Sequence, residues 1–475
     1  MIDCSEFVKT LGDKPVAVFG LGRSGLSTVK ALAAAGAKVK AWDDSADALE
    51  AAEKAGAEIT RLDDETLKDC ALLVLAPGIP LHYPRPHKVV VAARACNLEI
   101  ICDLEILHRC AHGRKTIGIT GTNGKSTTTA LINHIMESGG KPVAMGGNIG
   151  TPVLGLDMPG TDGFFVLEIS SYQMDLCPTF RPDIAVMLNI TPDHLDRHGN
   201  FKNYADAKAR IFEGAHLAII SLDDEPCRKI YERLLTSENE NRRIRPFSFE
   251  GAVEDGIYVE HGTLFDARGG HAEKIGEIDS FPALRGKHNH QNIAAAFATC
   301  ASKDVGMNPA DILQAMRTFE GLPHRQDRVR LINGIPYIND SKATSVEAAS
   351  KALAAYKNIY WIAGGRPKGD SLEEIFPMIN EIRHVFLIGE AMVAFAGWLD
   401  QYAVSYTMCG DLENAVLEAH TLAQNERGRP GGAGVVLLSP ACASFDQFKS
   451  FEDRGENFIK LVMALEENQG IRGAA

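Results

Sequence analysis

Short apolar runs alternate with longer amphipathic segments along most of the chain. The strands that this pattern predicts are residues 16–19, 39–42, 71–75, 117–119, 164–167, 184–190, 330–332, 335–338, 359–363, 385–388 and 435–438. Runs this short, with little polar alternation, are typical of strands that a parallel sheet buries on both faces. The intervening segments are long enough for crossover helices, so we predict an α/β fold with doubly wound sheets.

The 475 residues are too many for one ordinary core, and glycine-rich turns of the nucleotide-binding type follow two well-separated strands. One sheet seldom starts two such turns. We therefore predict a Rossmann-like N-terminal domain at residues 1–103, a central P-loop domain with a parallel sheet at 104–321, and a doubly wound, Rossmann-like C-terminal domain at 322–475. Residues 238–280 are more polar and alternate, which indicates a small β excursion within the central domain.

The glycine-rich segment GTNGKS, residues 121–126, joins a predicted strand to a predicted helix. Glycines let backbone N–H groups point inward around a phosphate, and the helix adds its positive N-terminal end. Lys125 is placed to reach the outer phosphates, and the Ser126 hydroxyl is placed to help hold Mg²⁺. The usual motif has a glycine where this chain has Ile119, so the loop is a shortened variant. It predicts a nucleoside triphosphate site; the alternative is a purely structural turn.

A second glycine-rich turn, with Gly20, Gly22 and Gly25, lies between the first two predicted strands, and the second strand ends at Asp43. This is the spacing of a dinucleotide fingerprint, in which a helix N-terminus meets a diphosphate. A nicotinamide dinucleotide and a UDP-sugar both satisfy that requirement, and the motif alone leaves the two open. Gly78 lies in a turn after the third strand, where another ligand group could bind.

Polar residues follow the strands of the central domain. Glu168 comes directly after residues 164–167, and His194 follows residues 184–190. Ligands gather at the carboxyl ends of strands in open α/β sheets, so Glu168 is a candidate metal ligand beside the phosphate loop. A structural role is the alternative for Glu168 and for His194. Lys208 shares a helix face with apolar residues, so its ammonium either extends to solvent or has a function.

Three polar loops follow strands of the C-terminal domain, at residues 339–344, 364–369 and 439–448. Because parallel strands present their carboxyl ends at one edge, we expect these loops to form a second part of the site.

The composition excludes several classes of protein. With 49 basic and 62 acidic residues, the formal charge of −13 argues against a nucleic-acid binder, although not against a small anionic substrate. The ten cysteines form no C-x-x-C pair, which is typical of a reducing compartment. The first residues lack the features of a signal peptide, and no apolar run is long enough to cross a membrane. We expect a cytoplasmic protein, a monomer without membrane or nucleic-acid partners.

Together, the motifs resemble those of the Mur ligase family, in the family's order and through all three predicted domains. They are GTNGKST (121–127), the strand end at Glu168, Asp193–His194, Lys208, His324–Arg325 and NDSK (339–342). The segments LEISSYQ (167–173) and LSPACASFDQF (438–448) are similar to those of the members that add D-glutamate.

The resemblance implies an ATP-dependent ligase of peptidoglycan precursor synthesis. ATP would phosphorylate the carboxylate of UDP-N-acetylmuramoyl-L-alanine, and the amine of D-glutamate would attack the acyl phosphate to form an amide. Mg²⁺, at two sites, and lysines would offset the charge of the two anions that must meet. The cofactors implied are ATP, Mg²⁺ and a carbamate formed by CO₂ on Lys208.

The resemblance also assigns roles to individual residues. The residues implied in catalysis are Lys125, Glu168, His194 and Lys208. Those implied for ATP are Gly121, Thr122, Asn123, Gly124, Lys125, Ser126, Thr127, Asn292, Arg325 and Asp340. Those implied for the metal ions are Ser126, Glu168, His194 and the carbamate of Lys208. Those implied for the UDP substrate are Gly20, Gly22, Arg23, Ser24, Gly25, Asp43, Gly78, Asn148 and Gln173. Those implied for D-glutamate are Lys342, Thr344, Lys368, Ser444 and Phe451.

One segment departs from the family's pattern. Glutamate-adding members often have Asp-Thr-Arg after the second strand, whereas this chain has Asp43-Asp44-Ser45, without a basic residue for the uridine end. Alternative functions are a related ligase adding another amino acid, including the folate polyglutamylating type, a P-loop ATPase that drives a partner, and an NAD-dependent oxidoreductase. The oxidoreductase leaves the phosphate loop, Lys208 and the last domain unexplained.

Overall fold

A computed structural model describes residues 1–111, 113–237, 241–284, 286–369, 371–429, 431–432 and 434–466. The chain forms two compact units, Met1–Phe319 and Glu320–Ala475. The first unit contains two sheets and the second unit one, and parallel pairing dominates all three. The predicted α/β class is therefore confirmed, whereas the domain boundaries after residues 103 and 321 stay predictions.

The N-terminal sheet has five parallel strands in the order β3-β2-β1-β4-β5. Its strands are β1 (Val16–Phe19), β2 (Val39–Trp42), β3 (Glu58–Ile59), β4 (Leu72–Leu75) and β5 (Glu99–Ile101). The helices around it are α1 (Ser5–Thr10), α2 (Arg23–Ala34), α3 (Ala46–Lys54), α4 (Asp64–Lys68), α5 (Lys88–Ala95) and α6 (Asp103–Cys110). Strands β1 and β4 are buried along their whole length, as their uniform apolar composition predicts.

The central sheet has nine strands in the order β14-β13-β12-β11-β10-β9-β6-β8-β7. They are β6 (Lys115–Thr120), β7 (Val143–Gly147), β8 (Phe164–Glu168), β9 (Ile184–Met187), β10 (Leu217–Ser221), β11 (Arg243–Ser248), β12 (Ile257–Glu260), β13 (Thr263–Asp266) and β14 (Glu273–Glu277). The helices are α7 (Lys125–Ser138), α8 (Ser171–Asp175), α9 (Leu195–His198), α10 (Phe201–Ala209), α11 (Glu225–Leu235), α12 (Lys287–Cys300) and α13 (Pro309–Thr318), and the 3-10 helices are Val153–Gly155 and Arg210–Phe212.

The predicted β excursion is present as the antiparallel strands at one end of this sheet. β13 pairs antiparallel with β12 and with β14, and His261 and Gly262 make the first turn with positive φ angles of 48° and 72°. Residues 238–240, where the excursion was predicted to begin, lie outside the described residues. The remaining strands pair in parallel, so β6, β8 and β9 present their carboxyl ends side by side.

The second unit contains a six-stranded sheet in the order β15-β16-β20-β17-β18-β19. Its strands are β15 (Asp327–Ile332), β16 (Ile335–Asn339), β17 (Ile359–Gly364), β18 (Ile382–Ile388), β19 (Tyr406–Gly410) and β20 (Val435–Leu438). Its helices are α14 (Val346–Leu353), α15 (Met392–Gln401), α16 (Leu412–Asn425) and α17 (Phe451–Ala464), with a 3-10 helix at Leu372–Glu381. The first pair, β15 and β16, is antiparallel, and the others are parallel.

The first two sheets share a continuous apolar core. Strand residues such as Val18 and Leu73 of the N-terminal sheet belong to the same buried cluster as Phe165 and Met187 of the central sheet. In the part of the chain that the structure describes, none of the helices combines the length and apolar character that crossing a membrane requires.

Candidate active site

The phosphate loop connects β6 to α7, and its backbone requires glycine at position 124. Gly124 caps α7 with a φ of 83°, in the left-handed region that side chains disfavour. A Cβ atom at this position would also lie 2.4 Å from Asn292 Oδ1. The predicted ATP residue Asn292 is thus packed directly behind the loop, with its Oδ1 accepting a hydrogen bond from Thr128 Oγ1 at 3.1 Å.

Asn189, which the sequence analysis missed, holds the phosphate loop in place. Its Oδ1 accepts from Asn123 N at 2.8 Å, its Nδ2 donates to Asn123 O at 3.1 Å, and its backbone carbonyl accepts from Thr122 N at 2.9 Å. The structure ends β9 at Met187, so Asn189 lies in the loop that follows and not within the predicted strand 184–190. An amide inside that apolar run was the signal that could have found it.

Lys125 lies along its own loop. Its Nζ donates to the carbonyl oxygens of Gly121 at 2.9 Å and Thr122 at 2.8 Å. The next two residues, Ser126 and Thr127, are buried in the first turn of α7, so the helix N-terminus, the ammonium and a hydroxyl meet at this edge of the sheet. Helix N-termini with these donors bind phosphate groups.

Glu168 ends β8 and is only 3% exposed. One carboxylate oxygen, Oε1, accepts from Asn148 Nδ2 at 2.8 Å, whereas the buried Oε2 has no hydrogen-bond partner within the described parts of the chain. A buried carboxylate oxygen without a donor is costly, and a bound cation is the usual compensation. The arrangement therefore fits the predicted metal ligand better than a satisfied structural glutamate.

Lys208 is buried, 2% exposed, so its ammonium does not extend to solvent, and the alternative of a solvent-seeking lysine is wrong. Its Nζ donates to Gly121 O at 2.7 Å and lies 4.8 Å from the ring centre of Tyr204. Burial lowers the pKa of Lys208 well below its usual value, and the positive charge of Lys125 lowers it further, against Asp193 and Glu168. Tyr204 in turn places its hydroxyl 2.9 Å from Thr122 Oγ1.

His194 lies in the loop after β9, as predicted, in a left-handed backbone conformation with a φ of 52°. Its side chain is half exposed, its Nε2 is 3.4 Å from Asp193 Oδ2, and its ring centre is 5.0 Å from that of Tyr172. Across the described residues, no group of three or more His, Cys, Asp or Glu side chains is assembled as a metal site. The predicted protein ligands thus supply only part of a coordination sphere.

The residues predicted for the UDP substrate lie in the first unit. Gly20 has a φ of 88°, and a Cβ at Gly25 would lie 1.9 Å from Gly20 O, so both positions require glycine. Gly22 caps α2, which contains Arg23 and Ser24 in its first turn. Asp43 accepts hydrogen bonds from Leu21 N at 2.5 Å and Ser45 N at 2.9 Å, so its carboxylate supports the glycine loop.

Hydrogen bonds also fix the surroundings of the other residues predicted for this substrate. Arg23 donates to Gly150 O, close to Asn148, and Gln173 forms a capping box with Ser170 at the start of α8. Gly78 lies in the turn after β4, between two carbonyl oxygens, of Pro77 and Ile79, that accept from Arg197. The roles of these residues stay predictions.

The second unit contains Arg325, Asp340 and the residues predicted for D-glutamate. Asp340 is buried, and burial raises the pKa of its carboxyl to about 7, although Ser439 Oγ donates to it at 2.7 Å and Arg325 lies near. Lys342 Nζ is 5.4 Å from the ring centre of Phe451, and Lys368 Nζ donates to Thr344 Oγ1 at 3.0 Å. Ser444 is buried in the loop after β20.

Arg454, on α17, holds two of the loops in the second unit together and was missed by the sequence analysis. It is 1% exposed, donates to Ser341 O at 2.8 Å and to Cys442 O at 3.1 Å, and burial lowers its pKa to about 10. Its spacing of four and eight residues from Phe458 and Val462, on one helix face, was a signal available in the sequence.

Two family models match the chain. The Mur ligase middle domain matches residues 119–300, and the N-terminal domain of the MurD-like Mur ligases matches residues 14–102. The UDP-N-acetylmuramoylalanine–D-glutamate ligase of Chelativorans sp. (strain BNC1) is 44% identical over 96% of this chain and 97% of its own length. The enzyme of the same name from Rhizobium johnstonii is 45% identical over 97% of both chains.

Solved structures share the fold at lower identity. UDP-N-acetylmuramate-alanine ligase MurC from Thermotoga maritima has a TM-score of 0.59 at 16% identity, over 95% of this chain and 99% of its own. MurF ligase from Thermotoga maritima, solved in complex with ADP, has a TM-score of 0.51 at 18% identity, over 84% of this chain and 91% of its own. The matched domains and the near full-length relatives agree with the motifs around the phosphate loop, and this chain belongs to the Mur ligase family.

Proposed function

We propose that this protein is an ATP-dependent ligase that joins D-glutamate to UDP-N-acetylmuramoyl-L-alanine in peptidoglycan precursor synthesis. The observation that carries the proposal is the identity of 44–45% with ligases of that name over nearly the whole chain. The family assignment also removes the ground for an NAD-dependent oxidoreductase, because the first glycine-rich turn is then part of a MurD-like N-terminal domain.

The reaction proceeds in two steps. The L-alanine carboxylate of the UDP substrate attacks the γ-phosphorus of ATP, which gives an acyl phosphate and ADP. The neutral amine of D-glutamate then adds to the acyl carbon, and the tetrahedral intermediate expels inorganic phosphate, with loss of a proton from nitrogen, to leave the amide. The chief electrostatic barrier is the approach of a carboxylate to a polyanion, so the site must supply positive charge.

The phosphate loop supplies the first part of that charge. Lys125 Nζ donates to two loop carbonyls, at 2.8–2.9 Å, so its ammonium already lies at the phosphate loop. The N-terminus of α7 faces the same place. Asn292, behind the loop, and Arg325 and Asp340 of the second unit are the further ATP contacts that we propose.

The residues present fit a bound Mg²⁺ ion. Glu168, whose buried Oε2 has no hydrogen-bond partner among the described residues, and Ser126 would hold one ion, and His194 would serve a second. When bound, the ions would neutralise phosphate and carboxylate charge. Since the protein ligands are too few for complete coordination spheres, ATP oxygens and a carbamate on Lys208 are the remaining ligands in this proposal.

The environment of Lys208 favours carbamylation. CO₂ reacts with a neutral amine, and burial together with the nearby Lys125 favours the neutral form of Lys208 by lowering its pKa. The product is an anionic carbamate, which the positive charges of this part of the site would stabilise. We propose that this group, and not the free amine, acts in the enzyme.

D-glutamate and the UDP substrate are assigned to different units. Lys342, Thr344, Lys368, Ser444 and Phe451 lie in the second unit, where the two lysines offer cations to the carboxylates of D-glutamate. The loops at Gly20–Gly25 and Gly78, with Asn148 and Gln173, are proposed for the UDP substrate. Cytoplasmic location and a monomeric state complete the proposal.

An amino-acid panel tests the function. Purified protein with ATP, Mg²⁺ and UDP-N-acetylmuramoyl-L-alanine should release phosphate only when D-glutamate is added, and the peptide product should be visible by mass spectrometry. Better turnover with L-alanine, L-glutamate or a diamino acid would point to a related ligase instead. Phosphate release without any amino acid would favour an ATPase that drives a partner.

A further inference from the structure

His198, the last residue of α9, contacts residues of α8 and α10, the helices that lie next to Glu168 and that carry Lys208. Its imidazole is buried, 4% exposed, and both ring nitrogens face α8. Nε2 is 3.0 Å from Ser171 Oγ, and Nδ1 is 3.6 Å from Asp175 Oδ2. Ser171 lies three residues after Glu168, so His198 is tied to the loop at the end of β8.

The faces of the ring contact two tyrosines. Tyr172 stacks on His198 with ring centres 5.6 Å apart, and Tyr204 lies 5.3 Å away in a tilted arrangement. Tyr172 also packs against His194, at 5.0 Å, whereas Tyr204 lies beneath Lys208 Nζ, at 4.8 Å. The imidazole of His198 is thus separated from the His194 ring by Tyr172 and from Lys208 Nζ by Tyr204, while its backbone N also donates to His194 O at 3.1 Å.

Burial shifts the pKa values of both His198 and Asp175. Burial lowers the pKa of His198 to about 4, helped by His194, Lys208 and Arg197 and opposed by Asp196. Burial raises the pKa of Asp175 to about 6, against Arg210 and Arg197. The contact of Nε2 with Ser171 Oγ is a hydrogen bond in either neutral tautomer, because a hydroxyl both donates and accepts.

We propose that His198 is a positioning residue of the ligase reaction, holding His194 through Tyr172 and Lys208 through Tyr204. The inference rests on the function proposed above. His194 needs such support because its side chain is half exposed and its residue caps a helix of only four residues, in a left-handed backbone conformation. Small displacements of reacting groups cost about 100-fold in rate, so a packed aromatic connection of this kind has a kinetic effect.

A double-mutant cycle tests the connection. His198→Ala should lower kcat by roughly 10- to 100-fold and leave KM for ATP within about threefold, because Asn189 still holds the loop backbone at Thr122 and Asn123. In a His194→Ala background, His198→Ala should lower kcat by less than about threefold. The effects of two residues that act through each other are not additive. His198→Phe, which keeps the ring, should recover part of the lost rate.

A matched control is His384→Ala in the second unit. His384 is also a partly buried histidine, with its Nε2 in a hydrogen bond with Thr407 Oγ1 at 2.8 Å, and its removal should leave kcat unchanged. Losses from His198→Ala and His194→Ala that multiply fully would overturn the proposal. A loss confined to protein yield or melting temperature, with normal kcat, would overturn it as well.

A second variant and a spectroscopic measurement guard against misfolding and against a wrong function. Ser171→Ala removes one hydroxyl and should lower kcat several-fold, again without additivity toward His194→Ala. In ligand-free protein with ¹³Cε1-labelled histidine, the His194 resonance, assigned by its loss in His194→Ala, should shift in both His198→Ala and Ser171→Ala. An unmoved His194 resonance in both variants would refute the connection, whereas absence of any ligation by the unaltered protein would refute the function alone.

Discussion

At the residue scale, the site is distinguished by two ionisable groups that are almost fully buried. Lys208 is an almost inaccessible amine, and Glu168 keeps one carboxylate oxygen without a donor in the described chain. Burial disfavours the charged form of Lys208. It also removes the Glu168 oxygen from water without supplying a hydrogen bond in return, so both groups cost folding free energy. The carbamate and the cation that we propose would offset these costs.

Lys208→Ala should abolish most ligase activity, because it removes the amine on which we propose that a carbamate forms. Formate or acetate should restore part of the rate by occupying the vacated space with a carboxylate. Phosphate release assays with and without added carboxylate measure the effect. Lys202→Ala, on the same helix but paired with Asp206 at the surface, is the matched control and should be fully active. Unchanged activity of the unaltered enzyme in CO₂-depleted buffer would contradict the carbamate.

Asp103 predicts a pH effect on stability. It is buried at the start of α6, and burial raises the pKa of its carboxyl from 3.8 to about 6. An acid whose pKa is higher in the folded state contributes stability below pH 4 that is lost as the pH rises through about 6, by on the order of 3 kcal/mol. Asp103→Asn should therefore be more stable than the unaltered protein at pH 8, and the difference should disappear toward pH 4. Urea unfolding across this range measures it, and equal midpoints at pH 8 would refute the expectation.

At the element scale, the strand–loop–helix unit around Gly124 depends on both a local and a tertiary condition. The positive φ follows from the loop's own sequence, since glycine is the residue that adopts it without strain. The close approach of Asn292 follows from the packing of α12 on α7. The loop could thus be located from sequence, but its rear contact could not.

Gly124→Ala should raise KM for ATP by at least tenfold, because both the backbone angle and the Asn292 contact must change. Gly140→Ala separates the two causes: its φ of 71° is similar, but a Cβ there meets open space. The control should lose about 1 kcal/mol of stability and no ATP affinity, in keeping with the backbone cost alone. Calorimetric titration with a non-hydrolysable ATP analogue measures both variants, and equal affinities would contradict the role of the Asn292 contact.

At the scale of the whole molecule, the division into two compact units separates the predicted substrate sites. The residues proposed for the UDP substrate all lie within Met1–Phe319, and those for D-glutamate all lie within Glu320–Ala475. The joint near Asp103, in contrast, is buried in a core shared by two sheets. Ligands that bind one unit should therefore stabilise that unit.

Scanning calorimetry should show two unfolding transitions. The UDP substrate should raise the temperature of one transition, and D-glutamate should raise that of the other. Arg454→Met, which removes the buried guanidinium between Ser341 and Cys442, should lower only the transition of the second unit and so identifies it. A single transition that both ligands shift equally would contradict independent binding by the units.

The amino-acid sequence alone predicted the fold class and several parts of the site. The apolar runs, the phosphate loop and Glu168 are local patterns, because strand burial and phosphate binding place requirements on neighbouring residues. Where the requirement comes from a distant segment, the sequence was silent or ambiguous. Three features depend on which elements pack together. They are the burial of Lys208, the contact of Asn189 with the phosphate loop and the hydrogen bonds of Arg454 to two loops. The link from Ser171 on α8 to His198 on α9 and its N-cap residue His194 joins two separate segments, and only the tertiary structure brings those segments into contact.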